Sequence, residues 1–460
     1  MADAYDVVVI GAGTGGYSTA LRAAQLDKRV ALLERDDRLG GTCLIRGCIP
    51  TKALLQSAAV LDTIERSQEW GIKASGDPDW SAVRAFEDKI VDKLVKGVEG
   101  LVKARGITVL HGTAKLLAGP AVEVDGTRVE ATDVVIATGS RPRLLPGLGV
   151  TDRIITSDEA LVYDRIPASA VVIGAGAVGL EFASLYRSLG AEVTLLEALP
   201  ALAPLEDEEV STAIARAFRR RNITTAAGAS VKEVTDTGEA VDVVYEAGDT
   251  AEKVTADICL VAVGRGPVTE GLGLEEAGVA LHEKGFVNVD GVLRTNVEHV
   301  WAVGDVAATP LQLAHVAFTE GYAVAERIAG GSVPEIDYAN IPRVTYCSPE
   351  IASVGLTAAQ AKDAGHRVAT AQVDFRGIGK ANMLGEGGFV KVVAEQGGGP
   401  VLGVHMIGPH VTDLVAEPML ITSWEASASE VATMFHPHPS LSEAIGEAHL
   451  ALAGKPLHTH

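Results

Sequence analysis

Residues 7–16 read VVVIGAGTGG, an apolar stretch that runs directly into a glycine-rich turn. The pattern that follows predicts a helix over 17–25 and a second strand over 29–33 that ends at Glu34. A strand, a glycine turn, a helix and a strand ending in an acid are typical of a dinucleotide-binding βαβ unit. The chain is therefore predicted to begin with an α/β domain.

The spacing of the glycines has a physical reason. Gly11 allows a tight turn, Gly13 lets the backbone approach a pyrophosphate, and Gly16 lets the helix pack closely on the strand. Glu34 can accept hydrogen bonds from the hydroxyls of a ribose. A dinucleotide is therefore the expected ligand of this turn.

The same pattern recurs later in the chain. Residues 171–179 read VVIGAGAVG, and the strand predicted over 193–196 ends at Glu197. Each glycine and the acid follow their counterparts in the first copy by 163 positions, and the glycines of the second copy are Gly174, Gly176 and Gly179. An internal repeat of one fold predicts two dinucleotide sites.

The two copies differ by an insertion. Apolar strands predicted over 134–136 and 259–261 lead into Gly139 in the first copy and Gly264 in the second. From the acid to this glycine is 105 positions in the first copy and 67 in the second, so the first copy carries 38 additional residues. The obvious insertion is a cysteine segment, residues 40–52, with the helix that follows it.

The cysteine segment reads GGTCLIRGCIPTK and places Cys43 and Cys48 five positions apart. The apolar periodicity over 53–64 predicts that Cys48 opens a helix. Five residues along a regular helix separate Cα atoms by roughly 8–9 Å, beyond the ~7 Å that a disulfide spans. A bridge therefore needs a distorted first turn, which Gly47 and Pro50 permit.

A redox-active pair is the favoured interpretation of these cysteines. The positive end of the helix dipole would favour a thiolate at the helix start and lower its pKa. Two buried free thiols, or half of a zinc site, remain open alternatives. A zinc site usually needs a second pair of ligands elsewhere in the chain, however, and the other cysteines, Cys259 and Cys347, are isolated. Cytosolic cysteine pairs are more often catalytic than structural.

Beyond the second copy, residues 300–305 read VWAVGD and predict a strand that ends at Asp305. An acid at the carboxyl end of a strand is well placed to bind a cofactor hydroxyl, and the alternative is that Asp305 caps a helix. The following residues, 312–328, predict a long helix whose first amides could meet an electronegative ring edge.

From about residue 342 the pattern changes to that of an α+β domain without a glycine fingerprint. Antiparallel strands are predicted over 367–375, 389–393 and 401–407, and helices over 357–364, 413–425 and 429–434. Such a domain suits another purpose, such as subunit contact.

The C-terminal domain ends in residues 435–443, FHPHPSLSE. Its two histidines stand among prolines in a predicted rigid turn, and Glu443 follows just inside a helix. A histidine oriented by a carboxylate is a common general-base pair. On spacing alone, exposed turn histidines and a chance pair of metal ligands remain alternatives.

Composition narrows the class of partners. A chain of 460 residues should hold two to four domains, and its formal charge is −21. An acidic surface disfavours nucleic acid and an anionic membrane, and no apolar run approaches the ~18 residues of a membrane span. Because the first residues lead directly into a predicted strand, we expect no signal or transit peptide and a cytoplasmic location.

Over its whole length the sequence resembles a known family, the pyridine nucleotide–disulfide oxidoreductases. The resemblance rests on the cysteine segment, both fingerprints, ATGSRP at 137–142, GD at 304–305 and HPHPSLSE at 436–443. It implies an α/β fold of two Rossmann-like FAD- and NAD(P)-binding domains plus a C-terminal α+β dimerisation (interface) domain. The implied boundaries are 1–148 for the FAD-binding domain with the redox-disulfide insertion, 149–272 for the NAD-binding domain, 273–341 for a central domain completing the FAD site, and 342–460 for the interface domain.

The same resemblance names cofactor-binding residues and no metal ligand. Those implied for FAD are Gly11, Gly13, Gly16, Glu34, Arg35, Thr42, Lys52, Ala114, Thr138, Gly139, Asp305 and Ala314. Those implied for the nicotinamide cofactor are Gly174, Gly176, Gly179, Glu197, Val231, Gly264 and Arg265, and Glu181 would pair with Lys52 beside the flavin's reactive nitrogen. Glu197 favours NAD, because it repels a 2′-phosphate and no Arg or Lys occurs between Glu197 and Arg216 to bind one.

The resemblance is to those family members that oxidise protein-bound dihydrolipoyl groups to lipoyl, with NAD as hydride acceptor. It implies a homodimer with the active site at the subunit interface, where His438 and Glu443 serve the partner's cysteines, and lipoyl-bearing acyltransferase proteins of 2-oxo acid dehydrogenase complexes as partners. Cys43 would exchange with substrate and Cys48 would lie nearer the flavin. The alternatives are an NAD(P)H-dependent reductase of a small disulfide of glutathione or mycothiol type, and a flavin-binding structural subunit.

The sequence departs from the common family pattern without losing a reacting group. The departures are Ile45, Arg46, Gly266, Val268, Val316 and Pro437.

Overall fold

The computed structural model describes residues 4–248 and 250–458. The chain divides into two compact units, each assembled from three separate segments. The first unit comprises Met1–Leu54, Ser81–Arg143 and Gly264–Tyr338, and the second comprises Leu55–Trp80, Leu144–Val263 and Ala339–His460.

The strands of the described residues are numbered in chain order. They are β1 Ala4–Ile10, β2 Val30–Glu34, β3 Thr108–His111, β4 Ala114–Leu116, β5 Ala121–Val124, β6 Thr127–Ile136, β7 Ser140–Pro142, β8 Ile154–Ile155, β9 Ser169–Ile173, β10 Glu192–Glu197, β11 Ile223–Ala227, β12 Ala229–Asp236, β13 Val241–Ala247, β14 Thr250–Ala256, β15 Ile258–Val261, β16 Arg265–Pro267, β17 Val300–Ala302, β18 Arg343–Thr345, β19 Glu350–Gly355, β20 Val368–Asp374, β21 Phe389–Glu395 and β22 Val401–Gly408.

The α-helices are numbered in the same way. They are α1 Thr14–Gln25, α2 Gly41–Arg46, α3 Cys48–Arg66, α4 Trp80–Ala104, α5 Ser157–Ala160, α6 Ala177–Ser188, α7 Glu208–Arg220, α8 Ala314–Ile328, α9 Ala358–Asp363, α10 Gly379–Leu384, α11 Val411–Leu414, α12 Ala416–Ser423, α13 Ala428–Val431 and α14 Glu443–Leu452.

The first unit is built on a seven-stranded sheet of order β3-β2-β1-β6-β5-β4, to which β17 adds beside β6. β1 lies parallel to both β2 and β6. Its side chains alternate between two buried clusters: Val8 and Ile10 belong to one, and Val7 and Val9 to the other. Since both faces of the strand are covered over residues 7–10, these four positions must be apolar, which explains the uninterrupted apolar run.

The second unit contains a five-stranded parallel sheet of order β11-β10-β9-β15-β8. The order β11-β10-β9-β15 reproduces the order β3-β2-β1-β6 of the first unit, so the predicted internal repeat is confirmed. A three-stranded antiparallel sheet, β12-β13-β14, accompanies it.

The last part of the second unit is an antiparallel sheet of order β18-β19-β22-β21-β20. Helices α12 and α14 pack on it through a core that includes Val392, Met406, Ile421 and Ile445. The predicted antiparallel strands are therefore confirmed.

The helix predicted over 413–425 is wrong in one respect, because the structure has two helices there, α11 and α12. Pro418 lies four residues after Leu414, so it cannot donate the hydrogen bond that would continue α11, and its ring would clash with the Leu414 carbonyl. The helix predicted over 429–434 is also shorter, and spans Ala428–Val431.

The predicted fold class, two Rossmann-like units plus an α+β domain, is confirmed. The division into four domains at residues 148, 272 and 341 stays a prediction. Within the described ranges, no helix is both long and apolar enough to cross a membrane.

Candidate active site

The first glycine turn is packed so tightly that two of its glycines cannot carry a side chain. Gly11 has φ of +100°, and a Cβ there would lie 2.5 Å from the carbonyl oxygen of Ala137. A Cβ on Gly16 would lie 1.8 Å from the Gly11 oxygen. A Cβ on Gly13, by contrast, would meet only the Cα of Gly41, at 3.8 Å. The backbone at Gly13 therefore borders an open space, which fits the close approach of the pyrophosphate of FAD.

The second turn repeats this geometry. Gly174 has φ of +103°, and a Cβ there would lie 2.4 Å from the Ala262 oxygen. A Cβ on Gly179 would lie 1.8 Å from the Gly174 oxygen, while at Gly176 no atom lies within 4 Å. This turn therefore fits a second dinucleotide, NAD.

The acids at the ends of β2 and β10 are also held alike. Glu34 Oε2 accepts a hydrogen bond from the Ala12 amide at 2.8 Å, and Glu197 Oε2 accepts one from the Ala175 amide at 2.6 Å. The Oε1 atoms accept from the amides of Asp36 and Leu199, at 3.1 and 2.8 Å. Each oxygen retains a lone pair for a ribose hydroxyl, and the fixed negative charge opposes a 2′-phosphate.

The cysteine segment folds as two short runs of helix joined at Gly47. Helix α2 ends at Arg46, Gly47 has φ −153° and ψ −110°, and α3 begins at Cys48. A Cβ on Gly47 would lie 2.8 Å from the Thr42 oxygen, so this break requires glycine. The predicted helix start at Cys48 is confirmed, and the backbone between the two cysteines is distorted as a bridge would need.

Cys43 and Cys48 are both half-buried, and they are not joined by a disulfide. Their mutual hydrogen bond raises the pKa of Cys43 strongly, burial adds to this rise, and the charge of Lys52 opposes it. The charge of Asp305 also reaches Cys43 and raises its pKa. The fold of the first unit therefore brings Cys43, Cys48, Lys52 and Asp305 together.

The other two cysteines, Cys259 and Cys347, belong to the second unit. Both are buried, and burial raises the pKa of Cys259 to about 12 and also raises the pKa of Cys347. Among the residues that the structure describes, no group of three or more His, Cys, Asp or Glu side chains could hold a metal ion.

Asp305 lies in a short 3₁₀-helix, Gly304–Val306, directly after β17. The N-cap of this helix is Val303, so the alternative that Asp305 is a capping residue is wrong. Asp305 Oδ2 accepts a hydrogen bond from Ser140 Oγ at 2.5 Å. Ser140 Oγ in turn accepts from Arg265 Nε at 2.7 Å, and Arg265 also donates to the Ser140 carbonyl at 2.8 Å.

This arrangement places Arg265 in the first unit, on the side of Asp305, although the resemblance groups it with the nicotinamide site. Sequence reasoning missed Ser140, which lies within the ATGSRP motif. Because β7 and β16 pair antiparallel, Ser140 stands opposite Pro267 and within reach of Arg265. The pairing of two three-residue strands has no signal of its own in the sequence.

Sequence reasoning also missed Glu320, a fully buried acid in α8. Burial raises its pKa, while hydrogen bonds from the Tyr338 hydroxyl at 2.7 Å and the Gly304 amide at 2.6 Å act the other way. Glu320 thus holds the backbone next to Asp305. Helix α8 begins at Ala314, two residues after the predicted start at residue 312, and no side chain caps that helix end.

Tyr17 is a third residue that sequence reasoning missed. It lies in α1, and its ring packs edge-on against Phe318 with 5.6 Å between centroids. Burial raises its pKa to about 12, and the charge of Cys43 adds to the rise. The phenol is therefore a neutral neighbour of the cysteine pair.

The remaining predicted cofactor residues are placed as follows. In the first unit, Arg35 is exposed, Thr42 lies in α2, and Ala114 is buried in β4. Thr138 Oγ1 donates a hydrogen bond to the Val268 carbonyl at 2.6 Å. Gly139 and Gly264 have positive φ angles, of +71° and +103°. In the second unit Val231 lies at an irregularity of β12, and Glu181, buried in α6, accepts from the Tyr346 amide at 3.0 Å. The pairing of Lys52 with Glu181 stays a prediction.

The departures from the family pattern take part in local contacts. Ile45 packs against the buried cluster of Leu44 and Val91, and Arg46 forms an ion pair with Asp36. Gly266 lies in β16, the Val268 amide donates to the Gly139 carbonyl at 3.0 Å, and Val316 is buried in α8. Pro437 separates the two histidines of the turn.

In the second unit, the turn 435–443 presents His438 to solvent, with 78% of its side chain exposed. Its Nδ1 lies 2.7 Å from Glu443 Oε1, and Glu443 is the first residue of α14, as predicted. Glu443 Oε2 also accepts from the Ser440 amide at 2.8 Å. Burial acts to raise the pKa of Glu443, but these hydrogen bonds outweigh it and lower the pKa.

Two dinucleotide turns, a cysteine pair at a helix start and a histidine held by a carboxylate define a class of protein, the flavin-dependent disulfide oxidoreductases. Comparison with known proteins agrees. Residues 5–321 match the model of the pyridine nucleotide-disulphide oxidoreductase family, and residues 341–449 match that family's dimerisation domain. The chain belongs to this family, whose members are oxidoreductases that use FAD and NAD.

Its similarity to particular members extends over the full length. The chain is 42% identical to a dihydrolipoyl dehydrogenase of Bacillus subtilis, with 100% of both chains covered. It is 41% identical to that of Cupriavidus necator and 39% to that of Mycobacterium leprae, with 98% of each chain covered. Among solved structures it is similar to LpdA from Mycobacterium tuberculosis, with a TM-score of 0.89, 27% identity, and 97% of this chain and 99% of the other covered.

Proposed function

We propose that the chain is a dihydrolipoyl dehydrogenase, which oxidises protein-bound dihydrolipoyl groups to lipoyl with NAD as hydride acceptor. The observation that carries the proposal is the exposed His438 held at 2.7 Å by Glu443, because oxidation of a dithiol requires a base that substrate can reach. The full-length relatives named dihydrolipoyl dehydrogenase support the choice of the dithiol.

In the proposed reaction His438 acts first. With Nδ1–H donated to Glu443, the lone pair of Nε2 can take the proton of a substrate thiol. The substrate thiolate attacks the sulfur of Cys43 in the Cys43–Cys48 disulfide, and Cys48 leaves as a thiolate. The second substrate thiolate then attacks the mixed disulfide, which releases Cys43 and the cyclic lipoyl disulfide. A bound FAD would supply the two-electron acceptor for the reduced cysteines, and NAD would supply the final hydride acceptor.

The chain's own residues would hold both cofactors. The backbone at Gly13 and Gly176 admits the pyrophosphates, and Glu34 and Glu197 accept ribose hydroxyls. Asp305, tied to Ser140 at 2.5 Å, would accept a flavin-side hydroxyl close to Cys43. Lys52 would pair with Glu181 near the reactive part of the flavin.

We further propose a homodimer in which the partner subunit's His438 serves Cys43. The family's dimerisation domain, matched over residues 341–449, contains His438 and supports this arrangement. Lipoyl-bearing acyltransferase proteins of 2-oxo acid dehydrogenase complexes are the proposed partners, and the cytoplasm is the proposed location.

The decisive experiment measures reduction of NAD by purified holoprotein with dihydrolipoamide as donor, with NADP in parallel. We expect fast turnover that is selective for NAD, because Glu197 opposes a 2′-phosphate. A flavin that NADH reduces, together with no turnover of dihydrolipoamide, would contradict the proposed substrate and leave a reductase of another disulfide. The variant Cys48→Ser is the control for turnover that bypasses the cysteines.

A further inference from the structure

The turn 435–443 contains a second histidine, His436, for which the proposed reaction has no use. Only 11% of its side chain is exposed, so the imidazole has lost most of its water and needs a partner within the protein. Its Nε2 lies 2.8 Å from Glu417 Oε1. The turn thus contains two histidine–glutamate pairs, one that faces solvent and one that faces the domain.

The two glutamates hold the turn from different helices. Glu443, the first residue of α14, binds His438 and the Ser440 amide and so fixes the C-terminal half of the turn. Glu417, in α12, binds His436 and fixes the N-terminal half. Only Pro437 separates the two histidines, and its fixed φ leaves little freedom between them. A displacement of His436 would therefore move His438.

Helix α14 is shaped to admit the His436 ring. A Cβ on Gly446 would lie 2.5 Å from His436 Nδ1 and 2.9 Å from Cε1, so only glycine lets the ring lie against this helix. Glycine lowers helix propensity relative to alanine, and its place inside α14 is therefore explained by the ring and not by the helix.

The charges around His436 favour the pair with Glu417. The hydrogen bond to Glu417 raises the pKa of His436, partial burial opposes the rise, and the charge of Glu443 adds to it. The nearby His449, also in α14, is fully buried, and burial lowers its pKa; its Nδ1 donates to the Ile445 carbonyl at 2.7 Å. His449 therefore stays neutral and does not compete for the carboxylate.

We infer that His436 and Glu417 are positioning residues for thiol oxidation, which anchor the turn so that the imidazole of His438 keeps its orientation towards substrate. The inference rests on the proposed function, since it takes His438 as the base. Neither residue touches substrate or cofactor in this scheme. Their effect is confined to the step in which the substrate thiol loses its proton.

The test compares variants that remove the anchor with variants that keep it, all as holoprotein. His436→Phe removes the donor and keeps a ring, and Glu417→Ala removes the acceptor. Each is expected to lower the maximal rate of dihydrolipoamide-driven NAD reduction about tenfold, because a small misplacement of a catalytic group is costly. Flavin content, KM for NAD and the rate of flavin reduction by NADH should stay unchanged. His436→Gln, which keeps a donor near the Nε2 position, should recover at least half of the lost rate.

A matched control is His366→Phe, which removes the Nδ1–Glu395 contact of 2.9 Å elsewhere in the second unit. It should not change the thiol-driven rate. Gly446→Ala is an independent probe: its methyl group displaces the His436 ring, so thiol oxidation should slow while flavin content and the rate of flavin reduction by NADH stay unchanged.

The outcomes separate this inference from the proposed function. If His436→Phe keeps the wild-type rate while His438→Ala is slow, the inference is wrong and the proposed function stands. Equal slowing of thiol oxidation and of flavin reduction by NADH in His436→Phe would show a general structural role and also overturn the inference. If His438→Ala itself does not slow thiol oxidation, the role of His438 as base and the inference both fail, while the oxidation of dihydrolipoamide stands.

Discussion

The two glycine turns share one backbone geometry but not one environment. In both, a Cβ on the third glycine would lie 1.8 Å from the first glycine's oxygen. Around Gly13, however, the cysteine segment closes in: the Gly40 amide donates to the Ala12 carbonyl at 2.9 Å, and a Cβ on Gly41 would lie 2.5 Å from Gly13 Cα. Gly176 is exposed, with no atom near its missing side chain.

This difference teaches how one fold serves two kinds of cofactor. A turn that the redox segment covers suits a cofactor that stays bound between catalytic cycles, as FAD would. An open turn suits a cofactor that arrives and leaves in every cycle, as NAD would. The insertion that carries the cysteines therefore both supplies the reacting sulfurs and closes the first site.

The largest effect is expected from a substitution in the cysteine segment, which is the insertion in the first dinucleotide-binding unit. Cys43→Ser removes the sulfur that accepts the substrate thiolate, and thiol-driven NAD reduction should fall by about 10⁴-fold or more. Flavin should remain bound, and NADH should still reduce it, because the two turns are intact. Steady-state rates measure thiol-driven NAD reduction, and the flavin spectrum reports whether flavin is bound and whether NADH reduces it. Retained thiol turnover would contradict the role of Cys43.

The next effect separates the thiol half of the reaction from the nucleotide half. His438→Ala removes the proposed base and should slow the thiol half-reaction about 10²-fold or more, without slowing the transfer from NADH to flavin. Stopped-flow measurement of each half-reaction tests this. Equal slowing of both would argue against His438 as the base.

A matched pair of substitutions sharpens the comparison of the turns. A methyl group at Gly13 or Gly176 fits the protein but occupies the place where a pyrophosphate approaches. Gly13→Ala should therefore purify with little flavin, whereas Gly176→Ala should keep its flavin and show a KM for NAD raised about tenfold, which corresponds to about 1.4 kcal/mol. The flavin-to-protein ratio of each purified variant and its KM for NAD test these two expectations. Loss of flavin in both variants would contradict separate roles for the two turns.

The smallest expected effect is on the pH dependence of stability. It concerns α4, which lies between β2 and β3 in the chain, and α7, which lies between β10 and β11. Burial raises the pKa of Glu87 in α4 to about 7, whereas hydrogen bonds from Glu209 and Lys391 outweigh burial and lower the pKa of Asp207, which caps α7. For Glu87, stability is fully present below the unfolded pKa of 4.5 and is lost as the pH rises through about 7. For Asp207, the stabilising contribution is fully present above the unfolded pKa of 3.8. It is lost as the pH falls through the lower pKa of the folded state.

Thermal unfolding across pH tests this opposition. Glu87→Gln should remove a loss of roughly 1–3 kcal/mol between pH 5 and 8, seen as a melting temperature that changes less with pH than that of the wild type. Asp207→Asn should lower the melting temperature at pH 7 and act less at pH 3. Identical pH dependence in wild type and Glu87→Gln would contradict the raised pKa.

Most of the fold could be predicted because its signals are local. The turns at Gly11 and Gly174 and the helix start at Cys48 depend on residues within a few positions of each other, where sterics and periodicity act directly. The interrupted helix at Leu414 belongs to the same kind, since Pro418 is its cause and is visible in the sequence. That error was one of interpretation, not of missing information.

The side-chain partners of the site could not be predicted in this way. Ser140, Asp305 and Arg265 come from three distant parts of the first unit, and Glu320 reaches the Gly304 backbone from inside α8. Glu417 and His436 meet because α12 and the turn pack on one sheet. Such contacts depend on the register of strands and on how helices pack, and neither leaves a periodic trace in the sequence.

The sequence by itself therefore determined the repeated dinucleotide units, the insertion of the cysteine pair in the first of them, and the identity of the acid at the end of each second strand. The tertiary structure alone decided that the cysteine segment closes over Gly13 while Gly176 stays open, and that one histidine of the turn faces solvent while the other is anchored on Glu417. The physical reason is the range of the forces involved. Backbone sterics act between neighbours in the chain, whereas burial and side-chain pairing act between residues that only folding brings together.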